Sequence, residues 1–325
     1  PRYYPINVSG YHIEQKGATP IQQGAFTLAN FFLYVDEALK RGIAIDDIPP
    51  RLPIFLTSGA DIEYVALLSA VRRVAAVALR DVYGAKDPNA WKVKAHMQTS
   101  GRSLYERAPL NNVTRTAIQL FYALLNVPQS LHANSWDEPI TTPTEGPVTI
   151  AAHQQAILME EMGGFKDMMM FLGDGSSRYW IYKKVIAGIV DCFREIGRYG
   201  GVLEAKDEGL FRGRIAEASQ AYEEQVLSGK RRIVGVNVYE GEEADAEVPR
   251  TAIPSELKRE KADSVRRFKE SRDKDRVQAA IEELKHAARK GGNVFETTYR
   301  HVHLITLGEW TRALQDVFGV YRRRF

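Results

Sequence analysis

Along the first 140 residues, apolar and polar positions switch between two rhythms. Short apolar or β-branched runs lie at residues 6–12 (INVSGYH), 51–59 (RLPIFLTSG), 93–97 and 130–133. Between them, residues 25–41, 62–83 and 113–125 repeat apolar positions at helical spacing; in the last, Val113, Ile118, Leu120, Phe121 and Leu124 share one face. Gly42 and Gly84 stand where the first two helices should stop. Strands alternating with helices predict parallel βαβ units, an α/β fold. All four runs end in residues able to hydrogen-bond. Ser9, Tyr11 and His12 close the first, His96, Gln98, Thr99 and Ser100 the third, and His132, Asn134, Asp137 and Glu138 the fourth. Ligands of parallel β/α folds sit at the carboxyl ends of strands. Residues 95–138 are therefore expected to form the floor of a site.

After Glu138 the texture changes. ITTPTEGP is turn-rich, and residues 153–162, 180–198 and 204–227 read as helices. Met168-Met169-Met170 reads as core filling. The Gly-Asp-Gly-Ser-Ser turn that starts at Gly173 matches no phosphate-loop spacing. Residues 233–238 (IVGVNV) are expected as a strand or extended tether, and residues 240–247 as an acidic loop. Residues 255–290, charged throughout, suit a solvated helix or helix pair with i,i+4 ion pairs better than a nucleic-acid surface. A final amphipathic helix is expected over 307–321, trailed by Arg322-Arg323-Arg324. The expected division is a β/α part over 1–150 and a mainly helical part over 151–325.

Composition narrows the partners. A chain of 325 residues, 44% hydrophobic and 26% charged, suits a globular protein with a sizeable core. A net charge of +3 is too small to argue for nucleic acid or an anionic membrane. The single cysteine, Cys192, has no partner for an internal disulfide and fits a reducing, cytoplasmic setting. No apolar run approaches the roughly 20 residues of a membrane span. The start, PRYYPINVSG, has no signal-peptide pattern. No Cys/His cluster has metal-ligand spacing, so no metal site is expected.

Several motifs recur together: NVSGYHIEQKGATP, AFTLAN, PPRLPIF, HMQTSGRSL, NNVTRTAIQ, QSLHANSWDE, PTE, IVGVN and LGEWTRALQDVFGVYR. In order and spacing they resemble the large subunit of adenosylcobalamin-dependent acyl-CoA mutases, the family of the methylmalonyl-CoA and isobutyryl-CoA enzymes. QTSGRSL and ITTPTE look closer to the isobutyryl type, because methylmalonyl enzymes usually carry Trp where Arg102 stands. The resemblance implies the C-terminal half of a (β/α)8 TIM-type barrel, beginning at its fifth strand, followed by a mainly helical region with a linker or dimerisation segment. It implies adenosylcobalamin as cofactor and an acyl-CoA as substrate. It also implies a radical rearrangement that moves the thioester group to the neighbouring carbon. The Asp-x-His-x-x-Gly cobalt-ligand motif does not occur in the sequence. A cobalamin-binding small subunit or domain is therefore an expected partner, together with an N-terminal barrel half and a second copy in a dimer. Between Glu161 and Trp180 the resemblance fades.

The resemblance assigns roles residue by residue. His12 matches the histidine that donates to the thioester carbonyl, with Tyr11 beside it packing or orienting the ligand. Asn134 and Glu138 match positions that contact the ribose of the adenosyl group. His96 and Gln98 fall where the family faces the corrin and nucleoside, and Arg51 falls on an arginine that helps to bind CoA. Each has a purely structural reading: a satisfied histidine, a Glu138 salt bridge, a polar layer at a barrel mouth. Three geometric expectations follow. His12 should point into the cavity near His96 and Asn134. Asn134 and Glu138 should both be accessible at that mouth. An uncovered inner face should be lined by Val8, Leu52, Ile54 or their neighbours. A non-catalytic half-barrel that scaffolds a mutase partner is the competing reading, favoured by the missing strands and opposed by the joint presence of His12, Asn134 and Glu138.

Overall fold

The computed structural model describes residue 4 and residues 6–163, 177–240 and 252–320. The Met168–170 run, most of the glycine-rich turn at 173–177, and residues 241–251 and 321–325 lie outside the described residues. The chain divides into two compact units, Pro1–Thr251 and Ala252–Phe325. Residue 150 falls inside the first.

The first unit is built on a four-stranded parallel sheet in the order β1-β2-β3-β4. The strands are β1 (Val8–Ser9), β2 (Ile54–Ser58), β3 (Ala95–Thr99) and β4 (Ser130–His132). The crossovers are α1 (Tyr11–Gln15) with α2 (Pro20–Lys40), α3 (Leu67–Val77) and α4 (Asn111–Leu124). Four more helices follow: α5 (Glu145–Glu160), α6 (Ser177–Arg198), α7 (Val202–Asp207) and α8 (Leu210–Leu227). Local sequence sets their ends. The Thr19 hydroxyl and the Gln22 side chain exchange hydrogen bonds with each other's backbone N–H, and Pro20 occupies the first turn of α2, a complete capping box. Residues 204–227, expected as one helix, break at Gly209, which sits at φ +80°, a conformation open to glycine at little cost.

The register decides what each face carries. Val8 pairs with Ile54, Ile54 with Ala95, and Leu56 with Met97. These residues lie on one face and are at most 3% exposed. They join Leu28 and Phe31 of α2, Leu67 and Leu68 of α3, and Leu120 and Leu124 of α4 in one core. Of the residues expected to line an uncovered inner face, Val8, Leu52 and Ile54 are themselves buried in the helix-covered core, and it is their neighbours that lie on the open face. Because side chains alternate along a strand, their chain neighbours define the other face. There Ser9 pairs with Phe55, Phe55 with His96, Thr57 with Gln98, His96 with Ser130, and Gln98 with His132. Among the described residues, β1 and β4 each keep one edge unpaired.

The long helix expected over 62–83 is three pieces: a 3₁₀ turn (Ile62–Val65), α3, and a π turn (Ala78–Val82). Asn126 causes the first break. Its Oδ1 accepts from the Ser69 N–H at 3.2 Å, while its Nδ2 donates to the Tyr64 carbonyl at 2.7 Å. The neighbouring Val65 carbonyl accepts from Arg178 instead of from the helix. Residues 233–238 form no named strand. Asn237 folds them into a turn, accepting from the Ile233 N–H and donating to the carbonyls of Val226 and Arg231.

The second unit contains α9 (Ser255–Glu270), α10 (Lys274–Arg289), α11 (Val294–His301) and α12 (Leu307–Phe318). The charged stretch is thus a helix pair, restarted at Asp273, whose side chain caps α10. A small core of Ala280, Leu284, Ile305 and Ala313 holds it, with a bidentate Arg272–Glu309 pair at 2.8 and 2.9 Å.

Candidate active site

Gly10 starts the site. A Cβ there would lie 2.0 Å from Thr27 Oγ1, so only glycine lets the chain pass this close to α2. Directly after it the chain turns into α1. Tyr11 and His12 therefore stand on the first turn of a short helix rather than at a strand end, a correction to the sequence reading. The turn lays Tyr11 flat on Phe55, with ring centroids 4.8 Å apart and planes 7° apart. His12 meets Tyr11 edge-on at 5.6 Å and stays exposed, sharing a 2.9 Å hydrogen bond between its Nδ1 and Ser9 Oγ. Phe55 also leans on His96 at 4.9 Å. The aromatic stack thus carries the site from α1 across two strands.

Gln98 is the polar hub. Its Nε2 donates to the Tyr11 hydroxyl at 3.2 Å and to Asn134 Oδ1 at 2.7 Å. Asn134 is fixed in turn, donating from Nδ2 to the Thr99 carbonyl and from its backbone to Thr99 Oγ1, both at 2.9 Å. Asn134 is 1% exposed, so the expectation that it is open at the mouth is corrected: it sits behind Gln98 and orients it. Glu138 is exposed on the loop after β4, with its carboxyl pushed up by partial burial and by Asp137. Burial pushes the Tyr11 hydroxyl up, and the Glu138 and Glu14 carboxylates add to the effect. His96 shares a 2.7 Å hydrogen bond with Ser130. Partial burial and the nearby His132 hold it below the usual histidine range, favouring the neutral ring. Thr57, the cross-strand neighbour of Gln98, is fully buried and its hydroxyl finds no partner among the described groups.

Arg51 is not part of this cluster. It ends a 3₁₀ turn ahead of β2, at the opposite end of the strand, and donates to the carbonyl and Oδ1 of Asp47 at 2.5 and 3.1 Å. A residue the sequence reading passed over belongs here instead. Glu14 is 5% exposed and accepts from Ser100 Oγ at 2.9 Å and from Gln15 at 2.7 Å. Burial raises its carboxyl to about 7. Read as helical, SGYHIEQ would have put Tyr11, Glu14 and Gln15 on one face at i, i+3 and i+4. The loop that carries Ser100 is held from α4, where Gln119 Oε1 accepts from the Ser100 N–H at 2.6 Å.

The arrangement presents hydroxyl, amide, imidazole and carboxylate groups around an aromatic platform at the carboxyl ends of β1 to β4. It suits a ligand with several polar atoms and a carbonyl to polarise. Among the described residues, no group of three or more His, Cys, Asp or Glu is placed to hold a metal ion, and no helix is long and apolar enough to cross a membrane.

Residues 1–320 match the sequence family described as methylmalonyl-CoA mutase. The chain is 38% identical over 325 residues to a fused isobutyryl-CoA mutase of Geobacillus kaustophilus, covering 99% of this chain and 30% of that protein. It is 35% identical to a methylmalonyl-CoA mutase of Escherichia coli, over 99% of this chain and 45% of the relative. Against the 2-hydroxyisobutanoyl-CoA mutase large subunit of Aquincola tertiaricarbonis, the figures are 33%, 99% and 58%. The chain thus spans between about a third and somewhat over half of the length of these relatives.

Proposed function

The chain belongs to the methylmalonyl-CoA mutase family, and on that premise we propose that it forms part of the catalytic subunit of an adenosylcobalamin-dependent acyl-CoA mutase. The family's enzymes are isomerases. The reaction we assign is a radical 1,2-rearrangement of the carbon skeleton, with isobutyryl-CoA and butyryl-CoA preferred over methylmalonyl-CoA and succinyl-CoA. Arg102 and the similarity to fused isobutyryl-CoA mutases support that preference. One observation carries the reading: Tyr11, Gln98 and Asn134 form a single hydrogen-bonded unit, with the exposed His12 beside it, at the carboxyl ends of the strands.

His12 donates a hydrogen bond to the thioester carbonyl. When the Ser9 hydroxyl donates to Nδ1, the ring proton rests on Nε2, and the imidazole is held ready as a donor. Such a donor stabilises charge that develops on the carbonyl oxygen. Tyr11, fixed between Phe55 and Gln98, walls the reacting carbons and keeps water out. His96 stands in the same wall, where partial burial favours its neutral ring.

The residues present fit the nucleoside part of the cofactor. The unpartnered Thr57 hydroxyl, the Gln98 amide and the exposed Glu138 carboxylate are a donor and acceptor set for ribose hydroxyls, with Asn134 holding Gln98 in place. Gly101 brings backbone close to the same cluster; a Cβ there would lie 3.6 Å from Asn134 Nδ2 and 3.7 Å from the Tyr11 hydroxyl. Adenosylcobalamin, when bound, supplies the radical chemistry. A cobalamin-binding subunit or domain supplies the cobalt ligand, Arg51 contributes to CoA binding from the far end of β2, and the assembly works in the cytoplasm. The unpaired edges of β1 and β4 are where a further barrel half joins, because closing a parallel barrel takes about eight strands.

The test combines the chain with an N-terminal barrel half, a cobalamin-binding subunit and adenosylcobalamin, and follows isobutyryl-CoA and methylmalonyl-CoA by chromatography. Conversion of isobutyryl-CoA to butyryl-CoA that requires this chain is expected. A folded assembly that converts neither substrate would remove the proposal.

A further inference from the structure

We propose that the first unit holds a second binding site, for an organic phosphate monoester of the nucleoside monophosphate class. The site is a cavity of about 420 Å³ beyond the loops that follow β2 and β3, between the start of α4 and the turn after α8. The inference goes beyond the mutase reading and does not depend on it.

Charge is the first argument. Arg115, Arg231 and Arg232 all line the cavity, and no Asp or Glu stands among its described lining residues. Among the described residues, the carboxylate engaged from outside is Asp61, 2.7 Å from Arg231. Three guanidiniums set against one carboxylate leave the hollow positive, with Arg115 and Arg231 half-buried in it and Arg232 exposed at its rim. Desolvation makes the half-buried charge of Arg115 costly unless an anion neutralises it, and burial holds Arg115 below its usual range. A phosphate monoester, close to doubly charged at neutral pH, matches both the charge and the planar fork of a guanidinium.

Rigidity is the second. Arg115 is clamped from both ends, donating to Asn112 Oδ1 and to the Val234 carbonyl at 2.7 Å each, and it lies 4.9 Å over the Tyr105 ring. Arg231 lies 4.5 Å over Tyr222. The two tyrosine hydroxyls share a 2.7 Å hydrogen bond that closes one wall. Behind them Asn237 pins the turn that carries Arg231 and Arg232. Gly235, at φ +75°, lets that turn press against the start of α4, since a Cβ there would lie 2.6 Å from Ala108, just ahead of the helix, and 3.0 Å from Asn111 Nδ2 in its first turn. Cations already ordered in the free protein lose little entropy on binding.

The third argument is room. The volume falls within the range of ligand pockets, roughly 300–1,000 Å³, and exceeds what a bare phosphate fills. Ile118 and the tyrosine rings offer an apolar wall for a nucleoside. The IVGVN motif, which the candidate active site leaves unused, thereby gains a role as the site's frame.

The experiment is calorimetric titration of the full chain, alone and within the assembled mutase, with AMP, inorganic phosphate, adenosine and succinate. AMP should bind at one site, phosphate more weakly, and adenosine and succinate not measurably. Arg232→Gln should weaken AMP binding about ten- to a hundredfold, the scale of one charged hydrogen bond. Asp61→Asn, which frees Arg231 from its carboxylate, should tighten it several-fold, an outcome no damage to folding would mimic. Glu138→Ala, which alters the ribose contacts of the candidate active site, should leave it unchanged, which separates the two sites. Absence of AMP binding, equal binding of adenosine, preference for succinate, or indifference to both charge variants would each overturn the proposal.

Discussion

The two faces of the four-stranded sheet are made from the same four short strands and obey opposite rules. On one face Val8, Ile54, Leu56, Ala95 and Met97 are all but sealed beneath α2, α3 and α4. On the other, residues one step along the same strands, Ser9, Phe55, His96 and Gln98, are half-buried and joined by hydrogen bonds and ring contacts, while Ser130 and His132 are exposed. Parallel sheets normally have both faces covered by apolar packing. Here the helices supply stability on one side, and the other side is kept for polar contacts. Fold and function are separated by the alternation of side chains along each strand, not by regions of sequence. The comparison predicts that substitutions one residue apart act on different properties.

The largest effect should come from charging the covered face. Leu56→Asp places an unpaired carboxylate at a position with no exposure and should cost at least about 4 kcal/mol. Ser130→Asp on the open face should change stability by less than about 0.5 kcal/mol. Urea titration of both variants would break the comparison if the two losses were similar.

Next comes Glu14, where the open face meets the interior. Its carboxyl is raised to about 7 in the folded protein from the ordinary 4.5. Between these values the folded state binds more protons than the unfolded one, so stability should fall as pH rises from about 4.5 through about 7. The total is about 3 kcal/mol at 1.36 kcal/mol per pH unit. Below that window the penalty is absent, and above it the penalty is complete. Glu14→Gln should flatten the profile; a profile unchanged by the substitution would place the dependence elsewhere.

The smallest effect concerns the hinge that delivers Tyr11 and His12. Gly10→Ala should cost about 1–3 kcal/mol by overpacking against Thr27. Adding Thr27→Ala, which removes the clashing hydroxyl, should recover most of it in a double-mutant cycle. Independent, additive losses would mean that the close approach at Gly10 is not what constrains the turn.

Much of this was legible in the chain. The alternation of apolar runs with helical periods gives the parallel order, and the polar ends of the runs fall at the edge of the sheet where Tyr11, Gln98 and Asn134 meet. Other features were hidden because they depend on register or on distant side chains. Which of Ile54 and Phe55 faces the helices is fixed only by pairing with Val8 and Ser9. Nothing in residues 62–83 announces that Asn126, far along the chain, will take over their backbone hydrogen bonds. The five residues of α1 are too few to show a period, so Glu14 was passed over and His12 was read as lying at a strand end. The roles of His12, Asn134 and Glu138 came from family resemblance, and the structure revises their geometry: Asn134 supports from behind, while His12 and Glu138 stand open.

The central claim is that the open face serves the reaction rather than the fold, and His12 is its sharpest point. The most direct measurement is kcat of His12→Ala in the assembled mutase, read beside the melting temperature of the same variant. The account predicts a fall in kcat of about 10²–10⁴-fold with melting within about 2 °C of the parent, as expected for an exposed residue. An unchanged kcat, or a loss of activity that merely follows a loss of folded protein, would contradict it.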